Sequence, residues 1–247
     1  MYAQTFQDFE IILCEDGSSD NTYEIAEENK KSHSNIVLLR NPKNLGLNKT
    51  LNNCLAVAKG EYIARMDGDD VCDRTRFEKE VKFLDEHPEY AIVSCPMIYF
   101  DEKGVFARGK GGNKPTKLDF IGKTPFCHAP CMVRREAYMS VGGYTEDKRL
   151  IRQEDYNLWM KMYAAGYIGY NLSECLYSMR DDRAAESRRK RSWTVVKSSV
   201  YSTYLACRTL HLPIKGYMYC LKKPLIYIMP LCLYSYLHHR KLEKKLK

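Results

Sequence analysis

No uncharged run in this 247-residue chain reaches the length of a membrane span. The longest apolar stretch, Pro224 to His239, has 16 residues and two prolines, whereas a spanning helix needs about 20. The N-terminus lacks the basic-then-apolar segment of a secretory signal, so secretion is not indicated. Ten cysteines are present without a C-x-x-C pair or zinc-like spacing; Cys127 and Cys131 are the nearest two. That scatter speaks against a structural zinc site or a disulfide framework and for reduced, mostly buried thiols in a cytosolic protein. Internal repeats and low-complexity segments are also missing, which excludes solenoids and linker-like chains. The Gly- and Lys-rich stretch from Arg108 to Lys123 lacks the spacing of a P-loop and is expected to be a mobile loop.

What is present is a globular composition, 45% hydrophobic and 12% aromatic, with size enough for one large domain or a domain with an appendage. The net charge of +8 is unevenly placed. From Asp181 onward there are 15 Lys plus Arg against 4 Asp plus Glu, a net of +11, which leaves −3 for everything before it. Basicity belongs to the tail.

Read in order, the first half alternates strand and helix. Phe9 to Cys14 is a strand-length apolar run ending in Glu15-Asp16-Gly17-Ser18-Ser19-Asp20, where Ser19 or Asp20 can cap a helix running through Glu28. A strand over Asn35 to Leu39 leads to the turn-rich Arg40-Asn41-Pro42-Lys43-Asn44-Leu45-Gly46. Leu47, Leu51, Leu55 and Ala58 recur at helical spacing, predicting a helix over 47–59 that ends at Gly60. Tyr62 to Met66 is the third strand. This alternation is the α/β signature of parallel strands joined by right-handed crossovers. Ligands of such sheets bind beyond the C-terminal strand ends, where the acidic turns after Cys14 and Met66 both fall.

Further on, Asp73 is expected to cap a helix with Phe77, Val81 and Leu84 on one face. A strand is expected over Ala91 to Phe100, with a hairpin turn at Asp101-Glu102-Lys103-Gly104. Cys131-Met132-Val133 is another strand candidate. Gln153-Glu154-Asp155 opens a helix that buries Leu158, Trp159 and Met162 and ends at Gly166.

The densest chemistry is Asp67-Gly68-Asp69-Asp70. Like charges so close raise one another's pKa unless a cation or polar ligand offsets them. Gly68 lets the backbone turn so that Asp67 and Asp69 can face one point. Hard carboxylate oxygens suit Mg2+ or Mn2+, with water and phosphate completing the shell. A solvated acidic turn that caps the helix beginning near Arg74 remains the alternative. Glu154 and Asp155, in a first helical turn, are also favoured there by the helix dipole alone. His128 fits either a core histidine or a phosphate or acceptor contact.

Seven pieces in order and spacing carry a resemblance: Asp16-Gly17-Ser18, Asn44-x-Gly46, Gly60-Glu61-Tyr62-Ile63, Asp67-x-Asp69-Asp70, Gly142-Gly143-Tyr144, Glu154-Asp155-x-x-Leu158-Trp159 and Leu176-Tyr177. Together they resemble family 2 glycosyltransferases of the GT-A fold, over about Tyr2 to Arg180. Thr124-Pro125-Phe126-Cys127-His128, Arg180-Asp181-Asp182 and Leu210-x-Leu212-Pro213 are similar to the EpsE-type transferases of exopolysaccharide and biofilm-matrix synthesis. The resemblance implies a Rossmann-like α/β core, a mixed and mostly parallel sheet flanked by helices. It implies inverting transfer from a nucleotide diphosphate sugar, commonly a UDP-sugar, to an acceptor hydroxyl. By the same resemblance Asp16 holds the base, Asp67 contacts ribose or metal, and Asp69 ligates a divalent cation, Mg2+ or Mn2+. Asn44, Arg65 and His128 join the nucleotide-sugar site, and Asp155 is the catalytic base with Glu154 beside it. The family's pattern begins with a strand and helix ahead of the segment matching Tyr2 to Phe6; either Met1 is a wrongly chosen start or, if the truncation is genuine, the sheet is expected to lack a central strand. A catalytically silent, partner-binding protein is the competing expectation. Gln-x-x-Arg-Trp is absent after the base, although Arg191-Ser192-Trp193 is a faint echo, which argues against a processive polymerase.

Two regions are expected: a core over residues 1–180 and a basic, apolar helical extension over 181–247. Basic flanks on apolar helices suit an anionic membrane surface, where a lipid-linked or saccharide acceptor arrives. A helical pair packed on the core with a solvated basic face is the alternative. No nucleic-acid motif accompanies the charge. The expectation is a cytoplasmic enzyme, peripheral on the inner face of the cell membrane.

Overall fold

The computed structural model describes residues 1–181 and 192–229; expectations for Arg188 to Arg191 and for the terminal basic run lie outside them. The elements follow in order: β1 (Ile11–Glu15), α1 (Thr22–Ser32), β2 (Ile36–Arg40), α2 (Leu47–Val57), β3 (Tyr62–Ala64), β4 (Val71–Cys72), α3 (Arg76–Glu86) and β5 (Ile92–Ser94). After them come β6 (Met97–Asp101), β7 (Gly104–Arg108), β8 (Met132–Arg134), α4 (Arg135–Ser140), α5 (Glu154–Ala164), β9 (Gly169–Asn171) and β10 (Tyr177–Arg180). The chain closes with α6 (Trp193–Thr209), α7 (Ile214–Tyr219) and α8 (Lys222–Ile228).

The architecture is mixed α/β. A central sheet runs β3-β8-β5-β9, a second runs β4-β10-β6-β7, and β1 pairs with β2. Neighbouring residues of β5 and β8 point to opposite faces, as strand geometry requires. Ile92 and Val133 enter the main core with Leu158, Trp159 and Met162 of α5. Val93 and Met132 enter a smaller core with Phe77 and Leu84 of α3. The central sheet is therefore sandwiched between α3 and α5.

Several expectations are corrected. Among the described residues three ladders are parallel and four antiparallel, so the sheets are mixed. β3 pairs antiparallel with β8 and has no ladder to β1; Glu10 instead accepts the backbone N–H of Lys59 at 2.7 Å, tying the end of α2 to the start of β1. The single strand expected over Ala91 to Phe100 is two strands in different sheets. Pro96, between them, has no N–H for a ladder. Asp73 does not cap α3: its carboxylate accepts Thr75 N at 2.8 Å and Thr75 Oγ1 at 2.7 Å, an Asx turn, and Thr75 stands at the helix start. Helix α1 continues past Glu28 to Ser32, with Lys30 and Lys31 favoured in its last turn.

The stretch Arg108 to Lys123 is tethered rather than loose. Phe120 is fully buried, Tyr156 Oη donates to its carbonyl at 2.7 Å, and Tyr163 Oη donates to the Pro115 carbonyl at 3.0 Å. Gly and Lys content signalled mobility only because the anchoring hydroxyls lie far away in sequence. Within the C-terminal extension, α6 packs on α5, and Ala206, Cys207, Leu210 and Leu212 join the main core. Among the described residues no helix is long and apolar enough to cross a membrane.

Candidate active site

β3 ends where apolar residues give way to Arg65 and the acidic turn, and buried groups pin that transition. Arg65 N–H donates to the Cys131 carbonyl at 3.1 Å, and the Arg65 carbonyl accepts from Arg76 Nη1 at 3.1 Å. Arg76 has no exposed side-chain surface and pairs through Nε with both Glu80 oxygens at 3.1 Å. A charge so buried is tolerable only when paired and hydrogen-bonded, and this one meets both conditions.

Within the turn, Tyr177 Oη accepts Asp67 N–H at 3.1 Å and donates to Asp70 Oδ2 at 2.8 Å. Asp70 Oδ1 also accepts Arg180 N–H at 2.8 Å. Asp70 is thus buried and spent on structure, which leaves Asp67 and Asp69 as the acids of the turn able to face a ligand. Asp67 is half-buried and Asp69 exposed. Burial raises the Asp67 carboxyl above its usual range, against the opposing charge of Arg65 and with help from Asp70 and Asp69. Arg65 Nη2 meets Asp67 Oδ1 at 2.5 Å.

Helix α5 supplies the second carboxylate pair. Leu158, Trp159 and Met162 are fully buried, which fixes the roll of the helix and so the position of its first turn, Glu154 and Asp155. Burial, with Glu154 adding, pushes the Asp155 carboxyl up to about 6, against the Tyr156 N–H that donates to Oδ1 at 2.7 Å and the charge of Arg65. His128 stands in the same electrostatic neighbourhood: burial and Arg65 hold it well below its ordinary pKa, so the ring is neutral. Its Nε2 is 2.8 Å from Tyr144 Oη, and Trp159 lies edge-on to it at 5.9 Å.

Tyr144 is itself placed by α2. Asn52 donates through Nδ2 to the Tyr144 carbonyl at 2.9 Å and accepts Tyr144 N–H at 2.8 Å. The preceding Gly143 has φ +62°, and a Cβ there would come within 2.6 Å of Asn52 Oδ1. This close approach accounts for the Gly-Gly-Tyr sequence.

Asp16 and Asn44 build a second cluster, at the C-terminal ends of β1 and β2. Asp16 accepts Asn41 Nδ2 and Leu45 N–H at 2.8 Å and Gly46 N–H at 3.0 Å. Burial pushes its carboxyl upward, but these hydrogen bonds outweigh it and hold the group below its usual range. Gly17, with φ +77°, lets the two loops touch, since a Cβ there would meet Asn44 N at 2.5 Å. Beside them lies a cleft of about 420 Å³ lined by Gly17, Ser18, Arg40, Asn41, Pro42 and Lys43. Asn44 is exposed next to it.

Arg65, Asp67, His128 and Asp155 share one electrostatic neighbourhood, and Asp16 and Asn44 lie in the loops after β1 and β2. Among the described residues no three His, Cys, Asp or Glu side chains converge as a ready metal cage. The donor set still fits Mg2+ or Mn2+, which take few protein carboxylates and complete their shell with phosphate and water. The Arg65 guanidinium already occupies Asp67 Oδ1, so a metal would take the free oxygen of Asp67 together with the exposed Asp69. Two groups escaped sequence reasoning: the hydroxyls of Tyr177 and Tyr144. The motifs Gly-Gly-Tyr and Leu-Tyr flagged both tyrosines without revealing their partners.

The sequence profile of Glycosyl transferase family 2 matches residues 1–142. The chain belongs to that family, and its mixed α/β architecture is that of the GT-A glycosyltransferases. Among its relatives, the putative glycosyltransferase EpsE of Bacillus subtilis (strain 168) is 38% identical, over 97% of this chain and 86% of EpsE. The amylovoran biosynthesis glycosyltransferase AmsE of Erwinia amylovora is 30% identical, over 97% of this chain and 90% of AmsE. An Escherichia coli UDP-Gal:alpha-D-GlcNAc-diphosphoundecaprenol beta-1,3-galactosyltransferase is 28% identical, over 76% of this chain and 69% of that protein. In fold, the chain resembles S. aureus TarS 1-349 in complex with UDP-GlcNAc, with a TM-score of 0.65 at 19% identity, over 84% of this chain and 60% of that one. It also resembles the mannosyltransferase PcManGT of Pyrobaculum calidifontis in complex with GDP-Man and Mn2+, with a TM-score of 0.58 at 17% identity, over 100% of this chain and 74% of that one.

Proposed function

We propose that this family 2 glycosyltransferase moves a sugar from a UDP-sugar to a hydroxyl of a lipid-linked saccharide, with inversion, during exopolysaccharide synthesis of the biofilm-matrix kind. The observation that carries the reading is the placement of Asp155: a half-buried carboxyl in the first turn of α5, pushed up to about 6 by desolvation and in the field of the Arg65 that pairs with Asp67. A base poised just below working pH accepts a hydroxyl proton efficiently. The donor and acceptor classes are supported by the UDP-GlcNAc complex of TarS and by the diphosphoundecaprenol-linked acceptor named for the E. coli relative.

In this mechanism the nucleoside enters the cleft at the ends of β1 and β2, where Asp16 shapes the loop that carries Asn44. Asp67 and Asp69 hold a divalent cation, which when bound supplies positive charge to the leaving diphosphate. Arg65 adds a fixed guanidinium to the same region. Asp155 takes the proton of the acceptor hydroxyl as its oxygen bonds to the anomeric carbon, and the bond from that carbon to the diphosphate oxygen breaks on the opposite face. Desolvation, with Glu154 adding, keeps the Asp155 pKa high, and neutral His128, held by Tyr144, walls the site. The enzyme works on the inner face of the cell membrane, where the net positive charge of the sequence from 181 to 247 favours anionic lipid.

The test is Asp155→Asn. The variant is expected to bind UDP as the unmodified protein does and to lose at least about 10²-fold in transfer, the typical worth of a general base. Full turnover by this variant removes Asp155 as the base and the proposed chemistry with it.

A further inference from the structure

Among the described residues, the five most exposed large hydrophobic side chains lie in one row. Ile214, Met218, Leu221, Leu225 and Ile228 are each between 63% and 79% exposed. They recur every three or four residues, the spacing of a single helical face. Helices α7 and α8 carry them, and the two residues at the join keep right-handed helical backbone, Cys220 at φ −56°, ψ −30° and Leu221 at φ −79°, ψ −19°. The stripe therefore runs on across the join. Pro224 accounts for the interruption, since it has no N–H to offer the Cys220 carbonyl.

The opposite face is packed. Gly216 is buried against α6, where a Cβ would meet Cys207 Sγ at 2.8 Å. The Tyr219 ring sits so close over Gly122 that a Cβ there would come within 2.0 Å of it, and the Tyr227 ring meets that of Trp193 at 5.0 Å. These contacts fix the roll of both helices and leave the stripe outward. Lys215 and Lys222, seven residues apart and both exposed, run along one flank of it. From Trp193 to Ile228 the sequence has four Lys and one Arg, and no Asp or Glu.

We propose that the outer face of α7 and α8 inserts into the surface of an anionic lipid bilayer, with the helix axes parallel to it. The inference rests on the membrane placement proposed above and names the surface that produces it, which net charge does not. A row of large apolar side chains left in water marks an interaction face. No described helix is long and apolar enough to cross a membrane, so burial in lipid lays these helices in the interface, stripe toward the acyl chains and ammonium groups at headgroup level. Charge favours lipid over a second copy. Two such faces paired about a twofold axis meet with like charges and no acid in the segment to offset them, whereas anionic headgroups supply the missing negative charge. Because α6 packs on both α7 and α5, the docked face also sets the attitude of α5, which carries Asp155, toward the membrane.

The experiment sediments the full chain with vesicles of phosphatidylcholine, and with vesicles of phosphatidylcholine and phosphatidylglycerol in equal parts. The mixed vesicles are expected to bind at least about 10-fold more tightly. Met218→Ser with Leu225→Ser, which removes apolar area and adds no charge, is expected to weaken binding to both vesicles at least about 10-fold, with melting temperature and UDP affinity unchanged. Lys215→Gln with Lys222→Gln is expected to weaken binding to the mixed vesicles alone. The proposal is overturned if the serine variant binds vesicles normally: charge elsewhere then holds the protein to lipid, and the membrane placement stands without this face. It is overturned if that variant melts at a clearly lower temperature, because the stripe is then covered within the protein. It is overturned too if the variant dissociates a dimer without changing vesicle binding, which makes the face a contact between copies. Failure of the unmodified protein to bind either vesicle removes this face and the membrane placement together, while UDP binding and transfer still judge the chemistry.

Discussion

Arg65 Nη2 and Asp67 Oδ1, two residues apart after β3, are joined at 2.5 Å, and the same guanidinium acts electrostatically on Asp155 and His128. One cation therefore serves both carboxylate centres. It favours the ionised form of each and keeps His128 neutral. Its backbone is pinned on both sides, by Cys131 and by Arg76, so its position does not depend on ligand.

Arg65→Met is expected to raise the Asp155 pKa above about 6, because removing a nearby positive charge disfavours the carboxylate. The acid limb of the pH–rate profile then moves to higher pH by about half a unit to one unit. A profile that stays in place separates Arg65 from the base.

Asp155→Asn should also stabilise the fold in a pH-dependent way. The Asp155 pKa rises from 3.8 in the unfolded chain to about 6 in the native one, so the folded state binds the extra proton between those values. Stability contributed by this group is complete below the lower value and is lost as pH rises through the upper. The asparagine variant removes that loss: it should melt at a higher temperature than the unmodified protein at pH 8, with an unfolding free energy larger by up to about 3 kcal/mol, and the gain should vanish near pH 4. A gain independent of pH refutes the assignment of the shift to this residue.

The buried Arg76 and Glu80 pair carries the backbone of the site. Glu80→Ala is expected to cost about 3–5 kcal/mol, since it strands a buried guanidinium. The double variant Arg76→Met, Glu80→Leu should recover much of that, measured by urea unfolding. Additive losses in the double variant contradict this.

Tyr177→Phe removes the hydroxyl shared by Asp67 N–H and Asp70. The expected cost is about 1–3 kcal/mol, the usual result of stranding buried partners, with weaker Mn2+-dependent UDP binding as the turn loosens. Unchanged stability shows that water replaces the hydroxyl.

Much of the fold was legible locally. Strands β1, β2 and β3 and helices α2 and α5 follow apolar periodicity and end within a few residues of the expected Gly, Pro or charge cluster. What was hidden depends on distant partners. The antiparallel strand β8 inserts between β3 and β5, a choice set by cores on both faces and not by any local pattern. The two-residue β4 has too few residues to show a period. At the site, the clustered charge of Asp67 and Asp69 and the Glu154-Asp155 helix start were visible in sequence. The withdrawal of Asp70 into a hydroxyl network and the electrostatic reach of Arg65 to Asp155 arise only from packing.

The most direct test of the central claim is calorimetry of UDP binding with and without Mn2+, on the unmodified protein and on Asp69→Ala. The account predicts that Mn2+ strengthens UDP binding at least 10-fold in the unmodified protein, and that the substitution abolishes this gain while the fold stays intact by circular dichroism. Equal UDP affinity with and without Mn2+, unchanged by the substitution, contradicts it.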